Sequence, residues 1–264
     1  MPYALSDMFG AFAKARLWGY ISAKNIQLRY RRNVLGLLWL VIAFAIPSLG
    51  IGYVLARLQG LPLEEHVPHV LFGFVVWYFI IDCLVQGSTS LSRSRNIVLQ
   101  APIQRTVFPL SLVMEKMIIL LVNLVTACAL AAVFGWRPSL TMLFIPISLV
   151  VLAAAGLGSA LFMSLVSVRL RDMTELVASV MRLAFFFTPI IWSVESRRFS
   201  ADGFLTTVAT YNPFTYFLEI LRMPIQGAWP SPLVLIVTGV LTVLSLIAAV
   251  AALQRTGRTA AFFV

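Results

Sequence analysis

Ionisable residues are scarce in this sequence, so the few inside apolar stretches are where chemistry would have to occur. The stretch EEHVPH at 64–69 carries two carboxylates and both histidines of the protein. That donor set suits a divalent metal, but Pro68 interrupts the helical spacing that would aim the ligands at one point, and no second cluster is in view. An exposed loop cap accounts for the same residues. Asp82, Glu115, Lys116 and Arg182 are the ionisable groups in apolar surroundings. A charge at the bilayer centre costs about 2.5–3.5 kcal/mol on insertion scales, so such groups face protein or water. Ion-coupled transport would call for paired carboxylates near the membrane midplane. Asp82 reads as isolated, and Glu115 with Lys116 as a local ion pair near one end of its helix. There is no G-x-x-x-x-G-K-[ST] phosphate loop, and no Ser/His/Asp or Cys/His set is recognisable. Catalysis by this chain alone is not expected. Cys83 and Cys128 stand in apolar segments without metal-ligand spacing and read as buried, inert thiols.

Two further patterns carry chemical meaning. RYRRNVLGLLW at 29–39 runs from Arg29, Tyr30, Arg31 and Arg32 into an apolar stretch that includes Trp39, with no acid to balance the cations. Arginines there either hold a span at the headgroup layer or bind phosphate. RLAFFFTPIIW at 182–192 gathers Phe185, Phe186, Phe187 and Trp192, and Tyr211, Phe214 and Tyr216 follow. Flat rings stack on the C–H faces of sugars, and they also anchor helices at the interface.

These residues need elements to place them. The 264 residues are 60% hydrophobic and only 11% charged, where a soluble domain has about 25% charged residues. The chain reads as an all-α integral membrane protein. Its net charge of +10 lies in short loops, where it signals topology and contacts with membrane lipids rather than nucleic acid. Residues 1–33 hold six Lys/Arg and no continuous apolar core, so they are expected to stay in the cytoplasm. Within them, Leu5, Phe9, Phe12, Leu17, Tyr20, Ile21 and Leu28 recur at three- and four-residue steps, with Asp7, Lys14, Asn25 and Arg29 opposite. That predicts an amphipathic interface helix over 5–28.

Six spans are expected at about 34–56, 69–88, 108–134, 140–168, 175–194 and 231–253. Pro47 should kink the first or mark a wide spot. AAAGLGSA at 153–160 offers the pairs Ala155/Ser159 and Gly156/Ala160 for close helix packing. With the N-terminus inside, 13 Lys/Arg fall in inner segments and 5 in outer ones, which favours both termini in the cytoplasm. The inner connection 90–109 predicts a short basic helix over 91–100. The connection 195–230 is too apolar for a solvated loop and is broken by Pro213 and Pro224. It predicts two short re-entrant helices in the outer leaflet.

Four segments in order resemble the membrane subunits of ABC-type polysaccharide exporters, which move O-antigen and related chains. RYRRNVLGLLW resembles the family's R-Y-x-x-S-x-L-G-x-L-W lead into the first span, including Gly36. VRLRDMTEL at 168–176 resembles its R-D-[IM] segment, with Arg171 and Asp172. FFFTPIIW at 185–192 resembles its F-x-T-P-I segment, with Pro189. YNPFTYFLEILR at 211–222 resembles its N-P-[LM] stretch, with Asn212, Pro213 and the trailing Arg222.

The resemblance implies one permease domain over 1–264: an interface helix in 1–33, spans one to five in 34–194, periplasmic gate helices in 195–230, and span six with a cytoplasmic tail in 231–264. It further implies a homodimer in the bacterial inner membrane with two copies of a separate ATP-binding subunit. That partner holds ATP and Mg, and this chain binds no cofactor. Coupling would fall at roughly 91–101, on Arg93, Arg95, Asn96 and Gln100. The expected cargo is an undecaprenyl-linked polysaccharide, and the expected channel lining is Phe185, Phe186, Phe187, Trp192, Tyr211 and Tyr216. Asn33 departs from the family's serine, and GRTAAFFV lacks the charged ending of relatives. Export of capsule, teichoic acid, small lipids or drugs is the alternative, and a polyprenyl-phosphate membrane enzyme is a further one.

Overall fold

A computed structural model describes residues 3–31, 35–94, 97, 103–170, 172–193 and 203–256. All regular structure among them is helical. The N-terminal region forms α1 (Tyr3–Ala13) and α2 (Ala15–Tyr30). Then follow α3 (Leu38–Gln59), α4 (Leu63–Ser88), the single turn α5 (Ser90–Arg93) and α6 (Val107–Val133). A 3₁₀ turn (Leu140–Phe144) leads into α7 (Ile145–Arg169), and α8 spans Met173–Phe187. The short helices α9 (Gly203–Tyr211) and α10 (Pro213–Ile225) precede α11 (Pro232–Thr256).

Among the described residues, five helical stretches are long and apolar enough to cross a membrane: α3, α4, α6, the 3₁₀ turn with α7, and α11. Their exposed Leu, Ile and Val side chains need a hydrocarbon solvent. α4 is the central one, with 61% of its apolar window buried against 22–33% in the other four. It packs on α3, α6, α7 and α8. Small residues set the closest crossings. A Cβ on Gly156 would lie 2.8 Å from Phe79 of α4, and one on Gly87 would lie 2.7 Å from Cα of Ala160. The predicted Gly156/Ala160 pair therefore faces α4, where any larger side chain would push the helices apart.

The remaining predicted span, 175–194, is different in kind. α8 has 15 residues and ends at Phe187. Thr188 is extended (ψ 134°), as a residue before proline prefers. The segment nevertheless runs the length of α4. Thr174 accepts a hydrogen bond from Ser88 at 2.8 Å, and the carbonyl of Trp192 lies 3.1 Å from His69 Nε2. Ser88 and His69 are roughly 28 Å apart along α4 at helical rise.

Several expectations are corrected. Pro68 does not interrupt the EEHVPH stretch, because α4 runs through it from Leu63. The interface helix breaks at Lys14 into α1 and α2, and Asp7, expected on its polar face, turns inward instead. Phe9, Phe12, Tyr20 and Leu28 are exposed, whereas Asp7 is buried beside Ala4 and Ala11. Asp7 caps the start of α6. Its carboxylate accepts from Arg105 N and Thr106 N, both at 3.0 Å, and from Thr106 Oγ1 at 2.7 Å. A negative charge on the free amides at a helix N-terminus is favourable, which holds α1 down on the bundle. Ala4 N, donating to Gln254 Oε1 at 2.9 Å, ties α1 to α11 at the same end.

Candidate functional site

Two polar clusters sit at opposite ends of the bundle. The first joins α2, α4 and α6. Arg29 Nη2 lies 2.8 Å from Glu115 Oε1. The Lys116 ammonium is 3.4 Å from that same oxygen and 3.0 Å from Asp82 Oδ2. Gln86, one turn beyond Asp82 on α4, donates to Asp82 Oδ1 at 2.6 Å and lies 3.4 Å from Arg29 Nη2. Glu115 and Lys116 are 2% and 1% exposed, Asp82 and Arg29 30% and 38%. Asp82 is therefore not isolated. It is the outer partner of a buried lysine, and Glu115–Lys116 is the middle of a four-charge chain. Two cations and two anions cancel, which lets ionised groups persist roughly 12 Å inside α6. The sequence hid this pairing because nothing in one span fixes its register against another. The i,i+4 spacing of Asp82 and Gln86 was the one available signal.

The described residues of the arginine-rich motif lie at the end of α2 and the start of α3. Gly36 has φ +52°, a left-handed conformation that glycine adopts at no steric cost, in the turn that starts α3. Trp39 is exposed in the first turn of α3, Tyr30 is half-buried at the end of α2, and Arg31 follows it, exposed. Arg93 is exposed on α5. Arg32, Arg95, Asn96, Gln100 and Arg171 lie outside the described residues. Asp172 stands exposed at the start of α8, its carbonyl accepting from Leu176 N at 3.0 Å.

The second cluster is built on the broken end of α8. Ending a helix leaves carbonyls without partners. Here side chains from the other motif segments meet them. Trp192 Nε1 donates to Phe186 O at 3.2 Å, Asn212 Nδ2 to Phe187 O at 3.1 Å, and Arg222 Nη1 to Pro189 O at 2.8 Å. Asn212 has a second duty. Its Oδ1 accepts from Phe214 N at 2.9 Å and caps α10, with Pro213 at the first helical position. Arg222 is buried, pairs with Glu219, and lies 2.9 Å from His69 Nε2. The segments FFFTPIIW and YNPFTYFLEILR thus meet in space as one knot, with His69 as a member that sequence reasoning overlooked. His66 and His69 stack with ring centroids 6.4 Å apart. Among the described residues no three His, Cys, Asp or Glu side chains gather to hold a metal.

The aromatic residues divide. Phe185 packs inward against Phe74 and Trp77, with centroids at 5.7 and 5.9 Å. Trp192 is buried, and half-buried Tyr216 donates to Thr210 O at 2.8 Å. Phe186, Phe187 and Tyr211 are exposed. The exposed side of α8 itself has two stripes. Glu175, Ser179, Arg182 and Phe186 follow one another at three- and four-residue steps, within about 60° of arc. Leu176, Val180, Leu183 and Phe187 form the adjacent apolar stripe. Arg182 donates to Ser179 Oγ at 2.8 Å along its stripe.

Comparison with known proteins identifies the family. Residues 16–225 match the family model described as ABC-2 type transporter. The chain is 24% identical over 196 residues to the O-antigen export system permease protein RfbA of Klebsiella pneumoniae, covering 73% of each chain. It is 22% identical over 177 residues to the protein of the same name from Myxococcus xanthus, covering 66% of each. With the match spanning most of its length, and with its apolar helices, the chain belongs to the ABC-2 type transporter family as a multi-pass membrane permease.

Proposed function

We propose that this permease is the channel subunit of an ATP-driven exporter of lipid-linked polysaccharide in the bacterial inner membrane. The observation that carries this reading is the polar stripe of α8. Glu175, Ser179 and Arg182 lie exposed on a helix that parallels α4 across the apolar layer. Hydrocarbon rejects ionised groups there by about 2.5–3.5 kcal/mol each. A water-filled path accepts them, and Phe186 at the end of the stripe, with Phe187 beside it, offers flat faces to passing sugars. One chain presents one wall, so a second copy closes the path. The relatives' names, as O-antigen export permeases, support the cargo class.

In this reading α8 with residues 188–193 is the fifth of six crossings, and both termini are cytoplasmic. The Arg29 end faces the cytoplasm and α9–α10 form the outer gate. Arg29, Arg31 and Arg32 meet the phosphates of the arriving undecaprenyl-linked chain. Arg93, Arg95, Asn96 and Gln100 receive the stroke of a separate ATPase, two copies per dimer, which holds the ATP and Mg. The test is export in a strain lacking its own permease but retaining the partner ATPase and the sugar-assembly enzymes. Expression of this chain should restore surface polysaccharide, and Arg182→Leu should abolish it at unchanged protein level. A normal cell surface in the strain carrying Arg182→Leu would contradict the path along α8.

A further inference from the structure

Between α2, α5 and α6 lies a cavity of about 350 Å³, walled by Arg29, Gln86, Ser90, Arg93, Ser94 and Glu115 among others. Two guanidinium groups and several hydroxyls suit a phosphate group. Ser90 is 8% exposed, and its Oγ has no hydrogen-bond partner among the described residues. A buried hydroxyl in that condition points to a ligand or an ordered water. The carboxylate of Glu115 stands in the same wall, and an anion entering beside it would be repelled. Yet Glu115 already has a second cation at hand, because Lys116 lies 3.4 Å from the oxygen that Arg29 holds.

We infer that Glu115 competes with a phosphate group of the cargo for Arg29, and that Lys116 takes over Glu115 when the phosphate wins. This deepens the proposed export function and rests on it. The charges favour reversal. With Arg29 turned to a phosphate, Lys116 alone serves both Glu115 and Asp82, and this trio carries a net negative charge. Departure of the phosphate returns Arg29 to Glu115 and restores neutrality. The pair thus links arrival of cargo to the position of α2 relative to α6, the two elements it ties together.

The test uses the full chain in lipid nanodiscs and three probes: undecaprenyl phosphate, inorganic pyrophosphate, and undecaprenol without phosphate. Glu115→Gln should tighten phosphate binding about tenfold, the worth of one charge-assisted contact of ordinary strength. Undecaprenol binding should not change. Arg29→Gln should weaken phosphate binding, and adding Glu115→Gln in that background should have no effect. Glu115→Asp keeps a charge for Lys116 but shortens the reach to Arg29. It should also tighten binding, and it stands in if Glu115→Gln fails to fold. Tightening for undecaprenyl phosphate assigns the site to the lipid headgroup, and tightening for pyrophosphate alone assigns it to a free phosphate. No tightening for either, no binding by any form, or tightening that persists without Arg29 overturns the inference. The export reading fails separately, on absence of surface polysaccharide in the complemented strain.

Discussion

The two ends of this permease use arginine in opposite ways. Arg222 is 2% exposed and its guanidinium spans three elements: the carbonyl of Pro189 after α8, His69 on α4 and Glu219 on its own helix. Around it the last α8 carbonyls, Phe186 O and Phe187 O, and Pro189 O just beyond the helix each have their own donor. Such an arrangement has one low-energy form. Arg29 is 38% exposed and holds a carboxylate that is also served by Lys116, which in turn holds Asp82. A chain with a shared lysine has at least two pairings of similar cost. The first end is built to stay, the second to rearrange. That division fits the proposed export function, in which force would arrive at the Arg29 end and a gate would keep its shape at the other.

The comparison can be broken most directly at Arg222. Arg222→Leu leaves Glu219 without its cation and Pro189 O without its donor. It should destabilise the folded protein by about 3–5 kcal/mol, as loss of one partner in a buried ion pair does. Thermal unfolding of the purified permease in detergent checks this, and a shift no larger than that of Arg29→Gln would erase the distinction between the ends. Lys116→Met comes next. It strands Glu115 inside the bundle with a half-exposed arginine as its one counter-charge, and about 2–3 kcal/mol should be lost. Arg29→Gln should cost under about 1 kcal/mol, because Glu115 keeps Lys116 and the lost pair was half in solvent. Asn212→Ala sharpens the picture of the knot. It removes the cap of α10 and the donor to Phe187 O, for about 1–2 kcal/mol in the same melt. Asp7→Ala should be the mildest of the buried-group changes at about 1 kcal/mol, releasing α1 from the start of α6. Its expected signature is faster proteolysis within α1 with the rest of the chain intact.

Hydropathy made the five long spans legible to within a few residues, because a bilayer demands about 20 apolar residues and tolerates few alternatives. The break in FFFTPIIW was missed, because the apolar run over 175–194 reads as one span, although a residue before proline tends to leave the helix. The orientation of α1–α2 was not legible either. Periodicity at Phe9, Phe12, Tyr20 and Leu28 reveals that a helix has two faces. It does not say whether the apolar face meets protein or lipid, and here Asp7 turned inward to cap α6 while the rings stayed outside. The site was legible as segments and not as contacts. Asn212 and Pro213 announce a cap through their own backbone chemistry. Arg222 with His69, and Asp82 with Lys116, pair between helices whose relative register no single segment reveals.

The central claim is that the Glu175, Ser179, Arg182 and Phe186 stripe of α8 faces water within the membrane. It is tested most directly by cysteine scanning of α8, in the permease in lipid nanodiscs and with Cys83 and Cys128 replaced by alanine. Single substitutions at 175, 179, 182 and 186 should react with a water-soluble thiol reagent. Those at 176, 180 and 183 should stay protected against lipid or a second copy, and those at 177 and 181 against the core. Reaction at every second stripe alike, or protection of 179 and 182 with reaction at 176 and 180, would contradict a polar path along α8 and with it the channel reading of this permease.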